Sequence, residues 1–200
     1  MISILIGTAL AAQAQQVSLA SAATRQFSDS ASGVTFRYPA KWASSSTQQF
    51  YAPLSIASQD EPLRGNVFFS SNEGFNPYPN TNLTGAQFAY STRKASSAEE
   101  CLKTILQDDG NAKPFPSKKI NGISYDHAQT GSGGMCHQIS EDIYAAFRNQ
   151  NCYVFDLAVH TICAGVVDNT REITSDELAR VHTSLDKILS SVQISDLKKD

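Results

Sequence analysis

The stretch CHQISEDIYAAFRNQNCYVFDLAVHTIC, residues 136–163, decides the fold. Two runs rich in aromatic and β-branched residues flank Arg148-Asn149-Gln150-Asn151, the pattern of a strand, a tight turn and a returning strand. With Asn149-Gln150 as a two-residue turn, Phe147 stands opposite Cys152, Tyr144 opposite Phe155, Ile139 opposite His160 and Cys136 opposite Cys163. Tyr153, Phe155, Leu157 and Val159 then share one face. Glutamine suits the positive φ of such a turn poorly. A one-residue slip would send Cys136 and Cys163 to opposite faces, so the register is an expectation that the structure must meet.

Working outward, Asn121-Gly122 between Lys118–Ile120 and Ile123–Gln129 is the strongest short hairpin signal in the chain. Pro114 and Pro116 read as a connector before it, and Gly131-Ser132-Gly133-Gly134 as a glycine-rich link after it. Upstream, Ser97-Ala98-Glu99-Glu100 is a capping box, with Cys101, Leu102, Ile105 and Leu106 on one helical face behind it. Asp109-Gly110-Asn111 closes that helix. Downstream, Thr174-Ser175-Asp176-Glu177 opens a second helix whose stripe is Leu178, Val181, Leu185, Ile188 and Leu189. Ser191 to Ile194 is a short strand, followed by a charged tail.

In the first half, Val34, Phe36 and Tyr38 alternate with polar partners and Pro39 ends the strand. Trp42, the only tryptophan, reads as a core anchor under that strand. Phe50–Ala57, Asn66–Ser71 and Gln87–Thr92 are further strand expectations. Asn72 to Thr84 reads as a long surface loop. The fold class is α+β: an antiparallel sheet of about seven strands packed with helices.

The first residues differ from the rest. Ile2 to Ala12 is apolar and uncharged, and Ala12-Gln13-Ala14 has the small residues of a signal-peptidase site. The run is too short to span a bilayer, although the basic residues that usually open a signal are absent from Met1-Ile2-Ser3. The expected organisation is a signal peptide over 1–14, a flexible leader over 15–30 and one domain over 31–196, exported to the periplasm or secreted. No stable membrane anchor is expected.

Four cysteines follow, Cys101, Cys136, Cys152 and Cys163, with no Cys-x-x-Cys spacing. An even count in an exported chain favours structural disulfides over zinc or redox centres. Three pairings are possible. The hairpin register favours Cys136–Cys163, which leaves Cys101 for Cys152 and a closed loop that contributes about 4 kcal/mol by chain entropy.

Sixteen basic and nineteen acidic residues leave a net charge of -3. No basic stripe is available to displace counterions from phosphates, so nucleic acid is not an expected partner.

Gly33-Val34-Thr35-Phe36-Arg37-Tyr38-Pro39-Ala40-Lys41-Trp42 resembles the aromatic-x-Tyr-Pro-x-x-Trp opening of PsbP-like domains. The Asn121-Gly122 hairpin, the long antiparallel pair and Ile188-Leu189-Ser190-Ser191-Val192 match that layout. Tyr78-Pro79-Asn80-Thr81-Asn82-Leu83, Ala86-Gln87-Phe88 and Asn151-Cys152-Tyr153 are similar to one uncharacterised exported bacterial family of that group. The resemblance covers about residues 33–194. It implies an α/β/α sandwich and no particular activity, because this group holds a photosystem II subunit, a Ran-binding import factor and many exported proteins of other roles.

The chemistry-bearing residues are few. The hairpin register sets His137 diagonal to His160 on one face, with Glu141 or His127 as a third ligand if a metal were held. Cys136 and His137 point to opposite faces, so they make no thiol–base pair. Ser132 lacks the strand-to-helix elbow of a nucleophile loop. Asn82-Leu83-Thr84 is a formal glycosylation sequon. No catalytic residue and no cofactor is assigned. The expected function is an exported, non-enzymatic binding or accessory domain, meeting an envelope protein or small ligand through the 72–84 loop or an open sheet face. The alternatives are a metal-dependent hydrolase using His137 and His160, and a structural envelope component.

Overall fold

The computed structural model describes residues 23–45, 63–108, 112–165 and 168–195. The expected signal peptide, the Phe50–Ala57 strand and the Asp109-Gly110-Asn111 helix stop lie outside them. Among the described residues, ten strands and two α-helices form: β1 (Thr24–Asp29), β2 (Val34–Pro39), β3 (Ala43–Ser45), β4 (Leu63–Ser70), β5 (Leu83–Lys94), α1 (Ala98–Asp108), β6 (Lys113–Ile120), β7 (Ile123–Gly134), β8 (His137–Arg148), β9 (Asn151–Ile162), α2 (Ser175–Ser190) and β10 (Gln193–Ile194).

Seven strands make one antiparallel sheet in the order β3-β4-β5-β9-β8-β7-β6. The α+β class expected from the pattern is the class observed. A second sheet, β1-β2-β10, was not foreseen. It corrects the leader: residues 24–29, read as the end of a flexible segment, pair along β2 with Phe27 against Phe36. Phe27 stacks on Phe36 with centroids 4.7 Å apart, and that single aromatic gives an otherwise polar strand its reason to order.

The hairpin register is the expected one: Phe147 pairs with Cys152, Tyr144 with Phe155 and Ile139 with His160. Asn149 and Gln150 take φ of 52° and 58°. Gln150 holds this strained conformation while its carbonyl accepts the Ala95 amide at 3.2 Å.

Two expectations on the neighbouring strands are corrected. Pro114 and Pro116 belong to β6, the outermost strand of the large sheet. Proline, lacking a donor, is tolerated there because an edge strand need bond on one side only. The glycine-rich link is likewise strand: Gly131, Gly133 and Gly134 pair with Ser140, Gln138 and His137. The turn falls at Met135-Cys136, with φ of 46° and 69°. A Cβ on Gly131 would come 3.0 Å from the Ile139 carbonyl oxygen, so close cross-strand approach accounts for a glycine inside a strand.

Alternation divides the large sheet into two faces. One carries Phe88, Tyr90, Phe155, Leu157 and Tyr144 and packs on Val34, Phe36 and Tyr38 of β2 and on Val181, Leu185, Ile188 and Leu189 of α2. Trp42 meets Phe69 edge-on at 5.1 Å within this core. Helix α2 starts at a complete capping box between Thr174 and Glu177. At its far end the Asn121 side chain donates to the Ser190 carbonyl at 2.7 Å, tying the β6–β7 turn to the helix. The other face carries Ala89, Ile143, Ala145, Cys152 and Val154 with Cys101 of α1. At the start of α1 the Ser97 hydroxyl accepts the Glu100 amide at 3.1 Å, while the Glu100 carboxylate reaches back to the Ser96 amide. The layers are therefore one helix, the large sheet, and a mixed layer of small sheet and helix.

Candidate functional site

On the α1 face, β9 continues from Val154 through Asp156, Ala158 and His160, since alternate residues share a side. Ala158 pairs with Glu141 on β8 and Gln87 on β5. Its small side chain thus sits among four polar ones: Asp156 and His160 along the strand, Glu141 and Gln87 across it. All four are buried. Burial, reinforced by the neighbouring Glu141 carboxyl, holds the Asp156 carboxyl well above the usual carboxylate range. The folded chain therefore disfavours the charged form of Asp156. Burial lowers His160 to about 4, so its imidazole is neutral.

The expected histidine site is only partly assembled. His137 and His160 share a face as read, but His137 is exposed and His160 is buried. Glu141 is on that face, one step diagonal to His160. His127 is not. It pairs with Tyr144 on the opposite face, stacks on that ring at 4.4 Å and bonds the Asp142 carboxylate at 2.7 Å. It is corrected as a third ligand. Among the described residues no three His, Cys, Asp or Glu side chains come together in a metal-holding group.

Lys118 donates to the Tyr144 hydroxyl at 2.7 Å. Burial nevertheless raises Tyr144, outweighing the lysine, so the phenol is not activated as a base.

The 72–84 segment, read as a long surface loop, is exposed at Asn72, Gly74, Pro79 and Asn80 and anchored at its end. A 3-10 turn over Ser71–Glu73, closed by Gly74 at φ 77°, leads into it, and Thr81 and Asn82 are buried. The Asn82 side-chain amide donates to the Ile162 carbonyl at 3.0 Å and the Glu172 carboxylate at 2.6 Å, and its oxygen accepts the Ile173 amide at 2.8 Å. One side chain therefore joins the loop, β9 and the approach to α2. The sequon at Asn82 is occupied by this network in the folded chain.

The exposed feature that sequence reading missed is the β7–β8 hairpin end. Residues 131–138 are all exposed, and Met135 reaches 98%. Cys136 and Cys163 lie with Cα atoms 4.9 Å apart and are bonded, while the Cys163 amide donates to the Cys136 carbonyl at 2.9 Å. The bond clamps the turn to the end of β9. Cys101 and Cys152 are bonded with Cα atoms 5.5 Å apart. Beside the tip, on the α2 face, Gly131, Gly133, Gln138, Ser140, Thr161 and Leu178 line an open groove of about 410 Å³. Charge alternation offers no cue to this tip. The available signal was the equal length of the alternating runs on either side of Met135-Cys136.

These features define the class of fold: a PsbP-like domain, here with a disulfide-clamped hairpin tip exposed to solvent. Among solved structures, the Ran-binding protein Mog1p of Saccharomyces cerevisiae matches with a TM-score of 0.50 at 9% identity, over 88% of this chain and 97% of that one. The cyanobacterial PsbP (CyanoP) of Synechocystis matches at 0.47 and 14% identity over 89% and 96%. LpqN, involved in cell envelope biogenesis of Mycobacterium tuberculosis, matches at 0.45 and 11% identity over 82% and 83%. No protein-family model and no curated protein matches the chain. The likeness is one of architecture. It carries no residue-level role.

Proposed function

We propose that this chain is an exported, non-enzymatic accessory domain that docks a protein of the cell envelope through the tip of the β7–β8 hairpin. The observation that carries the reading is Met135, 98% exposed at the end of a hairpin clamped by Cys136–Cys163. A long apolar side chain held in water on a braced turn is an unusual use of methionine, whose flexible thioether suits adaptable protein contacts. The bracing matters because docking then orders little additional chain. The buried, largely neutral polar row on the other face is consistent with a scaffold. Two cysteine pairs at bonding distance fit an oxidising compartment. Among the described residues no helix is long and apolar enough to cross a membrane. Mog1p, of like architecture, is a Ran-binding protein, so a protein partner is a use to which this fold has been put.

A photo-crosslinking residue at position 135, compared with one at exposed Lys187 on α2, tests the reading in the exporting cell. The expected result is one discrete adduct from position 135, competed by unlabelled wild-type protein but not by Met135→Glu, and none from position 187. Equal adducts from both positions would reject the tip as the docking element. Amino-terminal sequencing of protein recovered outside the cytoplasm should begin at Gln15.

A further inference from the structure

The two disulfides occupy opposite environments. Cys101 and Cys152 are 1% and 0% exposed, packed among Ala89, Ile143, Ala145 and Val154. Cys136 is exposed and Cys163 half-buried. Thiol–disulfide exchange needs a thiolate to reach a sulfur in line with the bond it breaks, so access controls which bond reacts. Cys136 is also the second residue of the Met135-Cys136 turn, at φ 69°, where a non-glycine residue is strained. Residues 131–138 contain no acidic side chain to repel an incoming anion.

We infer that Cys136–Cys163 is a thiol-exchange site, open to small thiols such as glutathione in the folded protein, whereas Cys101–Cys152 is closed to them. The attacking thiolate forms a bond to the more exposed Cys136 sulfur. The Cys136–Cys163 bond breaks, and its electron pair leaves on Cys163, which takes up a proton. A second thiolate then attacks the small thiol's sulfur in the mixed disulfide and releases Cys136. The net change is two thiols oxidised to one disulfide and one protein disulfide reduced to two cysteines. With the clamp open, the β7–β8 turn loses its covalent tie to the end of β9 and keeps the backbone bond from the Cys163 amide to the Cys136 carbonyl. The tip can therefore exist in a braced and an unbraced form, chosen by the thiol poise of its surroundings. This rests on exposure and packing alone, whatever the tip contacts.

The test uses the folded full-length protein, incubated with reduced glutathione at neutral pH. Free thiols are blocked at intervals with one alkylating reagent, and the chain is then unfolded, fully reduced and labelled with a second. Peptide mapping should show Cys136 and Cys163 reacting at least ~10-fold faster than Cys101 and Cys152, with the glutathione adduct on Cys136. Equal rates, the reverse order, or reaction of Cys136 and Cys163 only after unfolding would overturn the assignment. So would free thiols at Cys136 and Cys163 in protein isolated from an oxidising compartment. As a second measure, Cys163→Ser should accumulate the Cys136 mixed disulfide with oxidised glutathione while Cys101–Cys152 stays closed. If that variant does not fold, the wild-type rates alone decide.

Discussion

Asp156 stands diagonal to Glu141 across the β8–β9 pair, and both carboxyls lie in the buried centre of the large sheet. Two carboxyls in one low-dielectric site cannot both ionise, because each charge disfavours the other and burial disfavours both. Asp156 therefore keeps its proton in the folded chain at a pH where the unfolded chain has lost it.

That difference costs stability as pH rises. Below about pH 3.8, the ordinary value for aspartate, both states are protonated and there is no penalty. Above it the unfolded chain ionises first, and each unit of elevation in the folded state costs about 1.4 kcal/mol. Asp156→Asn retains a donor toward Glu141 and removes the proton requirement. Denaturant unfolding should find the variant more stable than wild type at pH 7, with the gain shrinking toward pH 4. A gain independent of pH would reject the shared-proton account.

Asp29 shows the opposite sign. Burial alone would raise it, but hydrogen bonds from Arg64, Tyr90, Ser32 and the Ala31 amide hold its carboxyl well below the ordinary range. Arg64 lies at 2.7 Å and the Tyr90 hydroxyl at 2.5 Å. This knot ties the small sheet to the large one. Asp29→Ala should lower stability by about 2–4 kcal/mol at pH 7 by stranding these four donors. In wild type the Asp29 contribution is present above pH 3.8 and is lost as pH falls below it. Denaturant unfolding should therefore find the gap between wild type and Asp29→Ala smaller at pH 3 than at pH 7, closing only as pH falls further toward the depressed folded-state value.

Gly65 is held by space. A Cβ there would come 2.6 Å from Phe27 Cζ and 2.7 Å from Tyr90 Cε1. Gly65→Ala should cost about 1–3 kcal/mol by overpacking. Because Phe27 is what orders β1, amide exchange in residues 24–29 should rise more than in β9. Uniform exchange changes would point to a global effect instead.

Asn82 joins three segments through one side chain. Asn82→Ala leaves the Ile173 amide without its partner and should cost about 2–4 kcal/mol. Loss of exchange protection at the Ile162 and Ile173 amides, with α1 unaffected, would place the effect at this junction.

Much of the large sheet was legible in the chain. The Cys136–Cys163 stretch announced its own pairing because a strand with one face in the core tolerates no slip, and both helices declared their capping boxes. The Met135-Cys136 turn was not legible from local propensity. Neither residue favours positive φ, so local propensity pointed to the preceding glycines, and only pairing along the full β7–β8 ladder set the turn. The small sheet was equally hidden. Thr24–Asp29 has one large apolar side chain, Phe27, and its order comes from Phe36 and Tyr90, distant in sequence.

By itself, the order of residues determined the α+β class, the β8–β9 register and the two helix starts, because each rests on periodicity or on partners a few residues away. Tertiary structure alone decided that Asp156 meets Glu141, that His127 faces away from His160, and that one disulfide is buried while the other stands in water. Those outcomes depend on which face another element covers, and coverage is a property of the assembled layers that no local pattern encodes.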